Sequence, residues 1–548
     1  MAAAVLTRAR WHWGLAALFF TVLAVLNSWP LVLAPAATIG AHGDAYFSVW
    51  RLAWVAHTMR SGSVEVFDAN IFFPESNTLA YSDAMLLPAA LVAPLHWAGI
   101  HPVLIYNVVL LGAFAASGLA AYALVRHLTG STPAALMGGL VFAFSPHRME
   151  HFDHLELQFA FWIPLAALAW HRAVRVQSLS SYVAVSALVS GQLLSSIYHG
   201  IFLMAWLAVM TAVWFRTRWR ESATALAGSL GPAALLLAVY SLPYLDSRAA
   251  VGERSRTEVA SYSAVPIDFL SAPASNVIYG WSADLGANER HLFPGLVVAG
   301  LTIVGLVSVR DRRIRVHAAG MLFALLLVFG TNAALYSVLY DWVLPFRGLR
   351  VPARAAILLL FGAAVFSGAA LAWLLARRPR TRWLAPAVLA LGAVEFATLP
   401  AVIPVDRDIS PWYRTLATLD DVVVFEWPVT VPWRLHDMRD VRYMYRSLVH
   451  WRPLLNGYSG NYPRSYQTLL LEMRAFPYTP ALNYLRERGA TVLVVHDIDG
   501  TRPSYEDALE RLHREPGVHL IGTGWDSGQR VSFFRLRPRD AEVAAQSR

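Results

Sequence analysis

Long apolar runs recur along the chain, and polar connectors separate them. A helix needs about 20 predominantly apolar residues to cross a bilayer, and this pattern predicts about eleven transmembrane helices. The runs lie at residues 13–33, 103–125, 133–145, 156–173, 181–196, 199–215, 222–245, 293–309, 316–331, 353–376 and 383–400. Residues 1–403 are therefore predicted to form an α-helical polytopic membrane domain.

The connectors are of two kinds, which alternate along the chain. One kind is short and rich in Arg, and short loops with an excess of cations stay in the cytoplasm. These connectors lie at residues 8–10, 126–127, 171–175, 216–220, 310–315 and 377–382. The long connectors are predicted to face outward, and they lie at residues 36–102, 145–156, 246–292 and 332–352. The pattern thus predicts a multi-pass protein of the cell (inner) membrane, with a cytoplasmic N-terminus and an outward C-terminus.

Segment 84–99 is apolar but shorter than a full span, and it contains Pro88 and Pro94. We predict an interfacial or re-entrant helix here, because a crossing helix needs a longer apolar run. A twelfth span is the alternative. It would reverse the orientation of the rest of the chain and move the Arg clusters outside, against the charge rule.

The character of the sequence changes near residue 404. Short runs of β-branched and aromatic residues at 421–425, 491–495 and 531–536 are typical of strands. Residues 482–488 predict a helix that ends at Gly489. About 145 residues are enough for an independent core. Residues 404–548 are therefore predicted to form an extracytoplasmic α/β domain, with a frayed tail from Asp540.

Composition agrees with a membrane protein, since hydrophobic residues make up 56% of the chain and the mean hydropathy is +0.44. The net charge of +9 comes from cations at the ends of apolar runs rather than from a contiguous basic face, which argues against nucleic-acid binding. The chain has no Cys. Disulfides, thiolate catalysis and Cys-ligated metals are therefore excluded.

The first outward loop carries the strongest chemical signal, Asp44, followed by a helix-forming stretch at 46–60. At helical spacing Phe47, Trp50 and Trp54 share one face, which predicts an amphipathic helix at the membrane interface. Asp44 falls in its first turn, where the helix dipole favours an ionised carboxylate. On this pattern alone, Asp44 is either a reactive carboxylate or a helix cap.

The second outward loop is rich in His and acidic residues. At helical spacing one face carries His147, Glu150, His151 and His154. Such a face can hold a divalent cation or a sugar phosphate, and Glu150 and His154 are the candidate ligands for Mg²⁺ or Mn²⁺. A hydrated helix entry at the membrane surface is the alternative. His147-x-x-Glu150-His151 also matches a metalloprotease pattern, in which two His bind zinc and Glu activates water.

Three arginines break the charge rule because they lie in or just after an outward loop. Arg347, Arg350 and Arg354 need an anionic partner at that depth, for which we predict a lipid-linked phosphate. Phospholipid headgroups are the alternative. His199 is a further candidate for the same cavity, or a structural buried His. Tyr458 lies in a predicted turn and is a candidate for stacking on a sugar.

An outward carboxylate after the first span, a short helix beside it, about eleven spans and an outward C-terminal domain resemble the GT-C superfamily of integral-membrane glycosyltransferases. Short strings across nearly the whole chain resemble its YfhO-like or ArnT-like branch. They are GDA at 43–45, NIFFP at 70–74, SPHR at 145–148, LFPG at 292–295, LRVPAR at 349–354 and NGYSG at 456–460. The chain departs from the commonest pattern, because Ala45 follows Asp44 where a second acid is usual.

The resemblance implies a glycosyltransferase that takes a sugar from a polyprenyl-phosphate donor. Asp44 would be the general base for the acceptor hydroxyl, and direct displacement would invert the anomeric carbon. The donor phosphate would be held by Arg347, Arg350 and Arg354. The acceptor, or a cation, would be held by His147, Glu150, His151 and His154. The acceptor would be an envelope glycan, lipid or protein, and membrane lipids would surround the spans.

Other functional classes fit parts of the pattern. A carrier or flippase for lipid-linked glycans would use the same spans and outward arginines. It should also show ionisable residues in mid-span and broken helices in paired halves, whereas the spans here are nearly free of charge. A non-catalytic membrane assembly factor would keep the whole fold. The metalloprotease is a remote third alternative.

Overall fold

The computed structural model describes residues 2–378, 380, 383–429 and 437–537, with the backbone alone for residues 2–11. The predicted tail from Asp540 lies outside the described residues, as does Arg382 of the last Arg cluster. The chain divides into two compact units. The first contains Met1–Ala36, Leu104–Tyr240 and Glu253–Val402, and the second contains Ala37–Val103, Ser241–Gly252 and Ile403–Arg548. The second unit thus combines the C-terminal region with a loop that the sequence assigned to the membrane domain.

The first unit is built from helices, as its long apolar runs predict. Its α-helices are Ala2–Asn27, Pro102–Thr129 (from Leu104 onward), Thr132–Phe144, Pro146–Glu150, Leu155–Gln158, Trp162–Val176, Leu179–Ser195, Ile197–Trp214, Trp219–Tyr240, Arg256–Ser261, Leu296–Ser308, Arg312–Val328, Ala334–Trp342, Leu344–Arg347, Ala356–Arg377 and Leu384–Glu395. Short 3₁₀ turns lie at Leu31–Leu33, Pro266–Leu270, Gly280–Leu285, Gly330–Asn332 and Pro352–Ala355.

Among the described residues, four helices are long and apolar enough to cross a membrane. They are Pro102–Thr129, Ile197–Trp214, Trp219–Tyr240 and Pro352–Arg377. Shorter apolar helices lie at His12–Asn27, Leu86–Trp97, Leu179–Ser195, Leu296–Ser308 and Leu384–Glu395. The apolar helices support a membrane location, whereas the number of about eleven spans, the inner membrane and the orientation stay predictions.

Ala356–Arg377 forms the core of the first unit, packed against Thr132–Phe144 and Leu296–Ser308. Small residues let apolar helices approach closely. A Cβ on Gly305 or Gly368 would collide with a backbone carbonyl of the neighbouring helix. The apolar window of this helix is 89% buried by protein, so most of its surface meets other helices rather than solvent or lipid.

The second unit contains a four-stranded sheet. The strands lie in the order Val424–Trp427, Val492–His496, Gln529–Leu536, Val518–Asp526. The first pair is parallel and the other two pairs are antiparallel, and Val492 pairs with Val424 on one side and with Arg535 on the other. Three strands lie within a few residues of their predicted positions. The edge strand Val518–Asp526 was not predicted, since it is largely exposed and contains two glycines.

The second unit also contains several helices. They are Gly43–Ser61, Leu86–Trp97, Leu242–Asp246, Arg248–Val251, Trp412–Thr418, Arg439–Ser447, Arg464–Glu472, Thr479–Glu487 and Tyr505–Arg514. Short strands lie at Thr38–Gly40 and Val402–Pro404, and 3₁₀ turns at Thr78–Tyr81 and Met473–Ala475. The predicted helix at 482–488 is present, and Gly489 follows it with a φ of +87°. Segment 84–99 forms the 12-residue helix Leu86–Trp97, and its place at the membrane stays a prediction.

Candidate functional site

Asp44 lies in the first turn of the helix Gly43–Ser61, as predicted. His42 precedes the helix, and its Nδ1 accepts a hydrogen bond from the backbone N–H of Asp44 at 3.3 Å. The same Nδ1 lies 3.0 Å from Oδ2 of Asp44, and the Asp44 side chain is 18% exposed. His42, rather than Asp44, is therefore the N-cap of this helix. The carboxylate is left at the helix N-terminus, where the dipole favours its charge.

Tyr458 reaches the other oxygen of Asp44. Its hydroxyl donates a hydrogen bond to Oδ1 at 3.2 Å. The Tyr458 ring packs edge to face on Phe47, with 5.5 Å between ring centroids. The second unit thus brings together two predicted site residues, Asp44 and Tyr458, that lie 414 positions apart in the sequence.

The helix Gly43–Ser61 is buried on both faces, so the prediction of an amphipathic helix at the membrane interface is wrong. Trp50 donates from Nε1 to the Asn70 side chain at 3.2 Å. Arg51 donates to the carbonyl of Asp83 at 2.7 Å. A helical pattern cannot distinguish a lipid interface from a protein interior whose polar partners come from distant segments.

Two of the strings that carry the GT-C resemblance meet beside Asp44. Phe72 donates its backbone N–H to the carbonyl of Asn456 at 3.1 Å, and Leu454 donates to the carbonyl of Asn70 at 2.8 Å. Gly457 fits against the Phe72 ring, where a Cβ would lie 2.7 Å from a ring carbon. NIFFP and NGYSG are therefore the two sides of one backbone pairing that fixes the position of the Tyr458 turn.

The predicted His-rich face is a compact group in the first unit. His147 and Glu150 lie on the short helix Pro146–Glu150, and His151 follows it. One ligand atom from each of these three residues lies within 4.8 Å of the other two. His147 and His151 are buried, and Glu150 is nearly so. His154 lies outside this trio, with its ring 5.6 Å from that of His151.

The loop 246–292 closes this group from a distant part of the chain. Oε1 of Glu150 lies 2.5 Å from Nδ1 of His291 and accepts the backbone N–H of Glu289 at 2.9 Å. Oε2 of Glu289 lies 3.6 Å from Nε2 of His151. We call His147, Glu150, His151, Glu289 and His291 the acid–imidazole cluster.

Buried polar contacts hold both halves of the cluster. The Arg148 guanidinium donates to the side chain of Gln158 at 2.9 Å, and Gln158 donates to the carbonyl of His151 at 2.6 Å. On the other side, the Arg290 guanidinium donates to the carbonyl of Ser263 at 3.0 Å. Buried polar groups paired in this way favour a single arrangement. The SPHR string therefore supplies both a cluster member and its support.

Burial and neighbouring charges set the protonation of the cluster. Burial lowers the pKa of His147 to about 4 and that of His151 well below its ordinary value, so both rings are neutral near pH 7. Burial alone would raise the pKa of Glu289, but the charge of Arg354, its hydrogen bond and the neighbouring imidazoles together outweigh burial and lower that pKa. Burial alone would lower the pKa of His291, but the hydrogen bond to Glu150 raises it. Burial raises the pKa of Glu150. Neutral imidazoles are the form in which His ligates metals.

The three predicted phosphate-binding arginines have different partners. Arg354 is buried and donates from Nε to Oε2 of Glu289 at 2.8 Å, so its partner in this structure is a carboxylate of the cluster. The Arg350 side chain is 27% exposed, and its Nη1 lies 4.0 Å from Glu258. Arg347 is exposed and donates to the backbone carbonyls at 340 and 341. Arg354 therefore belongs with the His residues of the cluster. Arg350 is more accessible than Arg354.

Three cavities border the cluster. His199 is buried and lines a small cavity together with His147, His151 and Arg354. A cleft of about 1100 Å³ has His147 in its wall and otherwise almost entirely apolar side chains from Leu296–Ser308, Arg312–Val328 and Ala356–Arg377. A polar pocket of about 870 Å³ has Glu150 and His291 in its wall.

Glu289 and His291 are cluster residues that the sequence analysis missed. They stand directly before the LFPG string, but the loop around them has no periodicity that predicts which side chains turn inward. Glu289 has a φ of +71°, which is rare for a non-glycine residue and costs about 1–3 kcal/mol. Such strain is typical of functional sites, and only the structure reveals it.

A profile of a family described as a domain of unknown function, DUF6311, matches residues 50–345, more than half of the chain. The chain belongs to the DUF6311 family. The match includes the whole acid–imidazole cluster of this DUF6311 protein, but neither Asp44 nor the three arginines. No curated protein matches the DUF6311 chain in sequence.

Solved structures resemble the DUF6311 protein in fold. ArnT from Cupriavidus metallidurans, bound to undecaprenyl phosphate, is 13% identical with a TM-score of 0.51, and the alignment covers 95% of this chain and 98% of ArnT. The Archaeoglobus fulgidus oligosaccharyltransferase in the apo form is 12% identical, with a TM-score of 0.48 over 88% of this chain and 69% of that one. AglB from Archaeoglobus fulgidus, in complex with an inhibitory peptide and a dolichol-phosphate, is 12% identical. Its TM-score is 0.47, over 89% of this chain and 69% of AglB. The likeness to ArnT shows that this chain shares the ArnT fold, whereas membership of the GT-C superfamily and of its YfhO-like branch stays a prediction.

Proposed function

We propose that this DUF6311 protein is a membrane glycosyltransferase that moves a sugar from a polyprenyl-phosphate donor to an extracytoplasmic glycan, lipid or protein. The observation that carries the proposal is the position of the acid–imidazole cluster between two unlike cavities. His147 borders the apolar cleft, and Glu150 and His291 border the polar pocket. An amphiphilic substrate with a long apolar tail and a polar head fits such a pair of cavities.

The donor would place its isoprenoid tail in the apolar cleft. The walls of this cleft are helices of aliphatic residues, which exclude water and offer no fixed hydrogen-bonding pattern. An isoprenoid chain is a hydrocarbon and needs neither water nor hydrogen-bonding partners. ArnT, which has the same fold, was solved bound to undecaprenyl phosphate. That complex supports a polyprenyl phosphate as the donor class here.

In the proposed reaction, an acceptor hydroxyl attacks the anomeric carbon of the donor sugar. Asp44 removes the hydroxyl proton, the new C–O bond forms as the C–O bond to phosphate breaks, and polyprenyl phosphate leaves with the electron pair. A single displacement inverts the anomeric centre. Tyr458 and His42 contact Asp44 and leave its carboxylate partly exposed, as a base that meets substrate requires.

The leaving phosphate would be stabilised by arginine. Arg350 is the main candidate, because its side chain is partly exposed and its contact with Glu258, at 4.0 Å, is long. Arg354 would join it only if Glu289 shares the guanidinium, since the two side chains are paired. Arg347 would contribute from the exposed surface. Phospholipid headgroups are the other anions that Arg347 and Arg350 fit.

A divalent cation fits the cluster as a proposed cofactor. Nδ1 of His147, Oε2 of Glu150 and Nε2 of His151 are buried atoms without a hydrogen-bond partner among the described residues, and they converge. Two imidazoles and a carboxylate suit Mn²⁺ or Zn²⁺ better than Mg²⁺, which prefers oxygen. A cation held there would offset phosphate charge. His154, predicted as a ligand, would act from outside the trio.

The alternative functions share parts of this geometry. A metalloprotease needs Glu150 free to activate water, but its Oε1 already meets His291 and the backbone N–H of Glu289. A lipid carrier or a non-catalytic assembly factor would need the apolar cleft alone. The partly exposed carboxylate of Asp44 favours the transferase over both.

Donor binding can be tested with a photoreactive amino acid at Leu322, in the wall of the cleft. In nanodiscs, undecaprenyl phosphate should reduce the crosslinking of a labelled lipid to this position. Crosslinking to the same photoreactive residue at Leu235, which is 68% exposed on Trp219–Tyr240, should not change when undecaprenyl phosphate is added. Equal behaviour at the two positions would remove the cleft as a donor site.

The cation can be tested by metal analysis of purified protein after loading with Mn²⁺ or Zn²⁺. We expect about one ion per chain, and loss of that ion in His147→Ala and in His151→Ala. His513→Ala, at an exposed His of the second unit, is the matched control. Stoichiometric metal in both cluster variants would exclude the trio as ligands.

A further inference from the structure

Both carboxylate oxygens of Asp44 have a side-chain neighbour. Tyr458 donates to Oδ1 at 3.2 Å, and Nδ1 of His42 lies 3.0 Å from Oδ2. The His42 side chain is 44% exposed and the Asp44 side chain is 18% exposed. An acceptor hydroxyl can therefore approach the Asp44 carboxylate.

Tyr458 is fixed on several sides. The ring lies against the start of the helix, where a Cβ on Gly43 would be 3.4 Å from it, in ordinary van der Waals contact. Phe47 contacts the ring edge to face, and the backbone N–H of Tyr458 donates to the sulfur of Met444 at 3.2 Å. Its neighbour Gly457 packs on Phe72. These contacts leave the ring little freedom, so the hydroxyl is held at one place.

We propose that Tyr458 is a positioning residue for Asp44, which fixes Oδ1 by a hydrogen bond and so sets the orientation of the carboxylate toward the acceptor. This inference rests on the proposed function, in which Asp44 is the base. The sequence-based prediction that Tyr458 stacks on a sugar stays a separate prediction. A general base works only when one oxygen is aimed within hydrogen-bonding distance of its proton.

The hydroxyl of Tyr458 has a second consequence for catalysis. A hydrogen bond donated to a carboxylate favours its ionised form. The contact therefore favours the ionised Asp44 carboxylate, which can accept a proton, at a lower pH than without the hydrogen bond. Its loss should affect both the rate and the pH at which the rate declines, whereas a purely structural Tyr would affect neither.

Tyr458→Phe is the direct test, because it removes the hydroxyl and keeps the ring. We expect kcat to fall about 10-fold, KM for the donor to stay within about 2-fold, and the acid limb of the pH–rate profile to move to higher pH. Unchanged kcat and an unmoved acid limb would overturn the assignment. A rise in KM alone would also overturn it, since it would show a substrate contact instead.

Tyr466→Phe is the matched control. The Tyr466 hydroxyl donates to Oδ2 of Asp440 at 2.8 Å, so this variant also removes a phenol–carboxylate hydrogen bond from the second unit. We expect lower stability and an unmoved acid limb. An equal shift of the limb in both variants would show a general loss of packing, and Tyr458 would have no special role.

A second readout does not depend on turnover. Difference infrared spectroscopy can follow the protonated carboxyl band of Asp44, assigned with Asp44→Asn. Tyr458→Phe should move the appearance of this band to higher pH, whether or not a substrate is found. A band that titrates identically in wild type and Tyr458→Phe would overturn the inference alone, whereas full turnover by Asp44→Asn would overturn the proposed function.

Discussion

Asp44 in the second unit and Glu150 in the first are both candidate reactive carboxylates, but their surroundings differ. Asp44 stands at a helix N-terminus and is partly exposed, with Tyr458 and His42 beside it. Glu150 is nearly buried and belongs to a cluster of two carboxylates and three imidazoles, with Arg354 paired to Glu289. A carboxylate of the first kind can exchange protons with a substrate. One of the second kind is suited to hold charge or a cation in place.

This difference predicts that the two sites respond to mutation in opposite ways. Asp44→Asn keeps the size and the hydrogen-bonding capacity of the side chain, so the protein should fold normally. Turnover should fall by about 10² to 10⁴, the usual range for loss of a general base. The check is kcat at matched expression and melting temperature. Near-normal turnover would show that Asp44 is a structural carboxylate, and Asp44 and Glu150 would then not differ in the way described above.

The converse prediction concerns Glu289, whose removal should affect stability first. Glu289→Ala leaves the Arg354 charge buried without its partner, and breaking a buried pair costs about 3–5 kcal/mol. The free energy of unfolding, compared in detergent between wild type and Glu289→Ala, measures this cost. Glu258→Ala is the matched control, because its pair with Arg254 is more exposed and should cost about 1 kcal/mol or less.

Replacing both partners sharpens the Glu289 prediction. The double variant Glu289→Leu/Arg354→Leu should be more stable than Glu289→Ala, since no unpaired charge remains. If the double variant is the least stable of the set, packing around these side chains, and not their charge, dominates the cluster.

Protonation of His450, which lies far in sequence from Asp44, should lower the stability of the second unit. Burial lowers the pKa of His450 to about 3, below its unfolded value of about 6.5. The unfolded chain therefore binds the proton first, so stability is full above about pH 6.5 and falls by about 3 kcal/mol at pH 4.

Denaturant unfolding as a function of pH measures this effect. His450→Asn should flatten the dependence, because Asn can still accept the backbone N–H of Arg452 and does not titrate. His513→Asn, at an exposed position, should leave it unchanged. An identical pH dependence in His450→Asn and wild type would show that His450 does not govern acid stability.

The smallest predicted effect concerns Arg350. Arg350→Ala should weaken donor binding by about 1–3 kcal/mol, the usual loss for a hydrogen bond to a charged group, and Arg350→Lys should recover only part of it. Binding of undecaprenyl phosphate in nanodiscs measures both. Full affinity in the double variant Arg347→Ala/Arg350→Ala would leave lipid headgroups as the partners of these arginines.

Local patterns in the sequence predicted local structure. The run Thr491 to Val495 predicts a buried strand because β-branched residues fill it, and the strand is Val492–His496. Asp44 follows from its place before a helical stretch. The trio of His147, Glu150 and His151 follows from helical spacing, since all three come from one turn and the residue after it.

Long-range contacts could not be predicted in the same way. Glu289 and His291 reach Glu150 across 139 and 141 positions, from a loop without periodicity. Arg354 carried a signal, because a cation at that depth needs an anion, but the sequence does not say that the anion is Glu289. The sequence pattern favours a membrane surface for the Trp50 face, because the partner of Trp50, Asn70, lies in another element.

The most direct test is glycosyl transfer by purified protein in nanodiscs, with a panel of polyprenyl-phosphate sugars as donors. Wild type should release polyprenyl phosphate and free or transferred sugar from at least one donor. Asp44→Asn should retain donor binding but lose at least about 99% of the release. Release by wild type and Asp44→Asn at equal rates, or donor binding without release from any donor in the panel, would contradict a glycosyltransferase that uses Asp44 as its base.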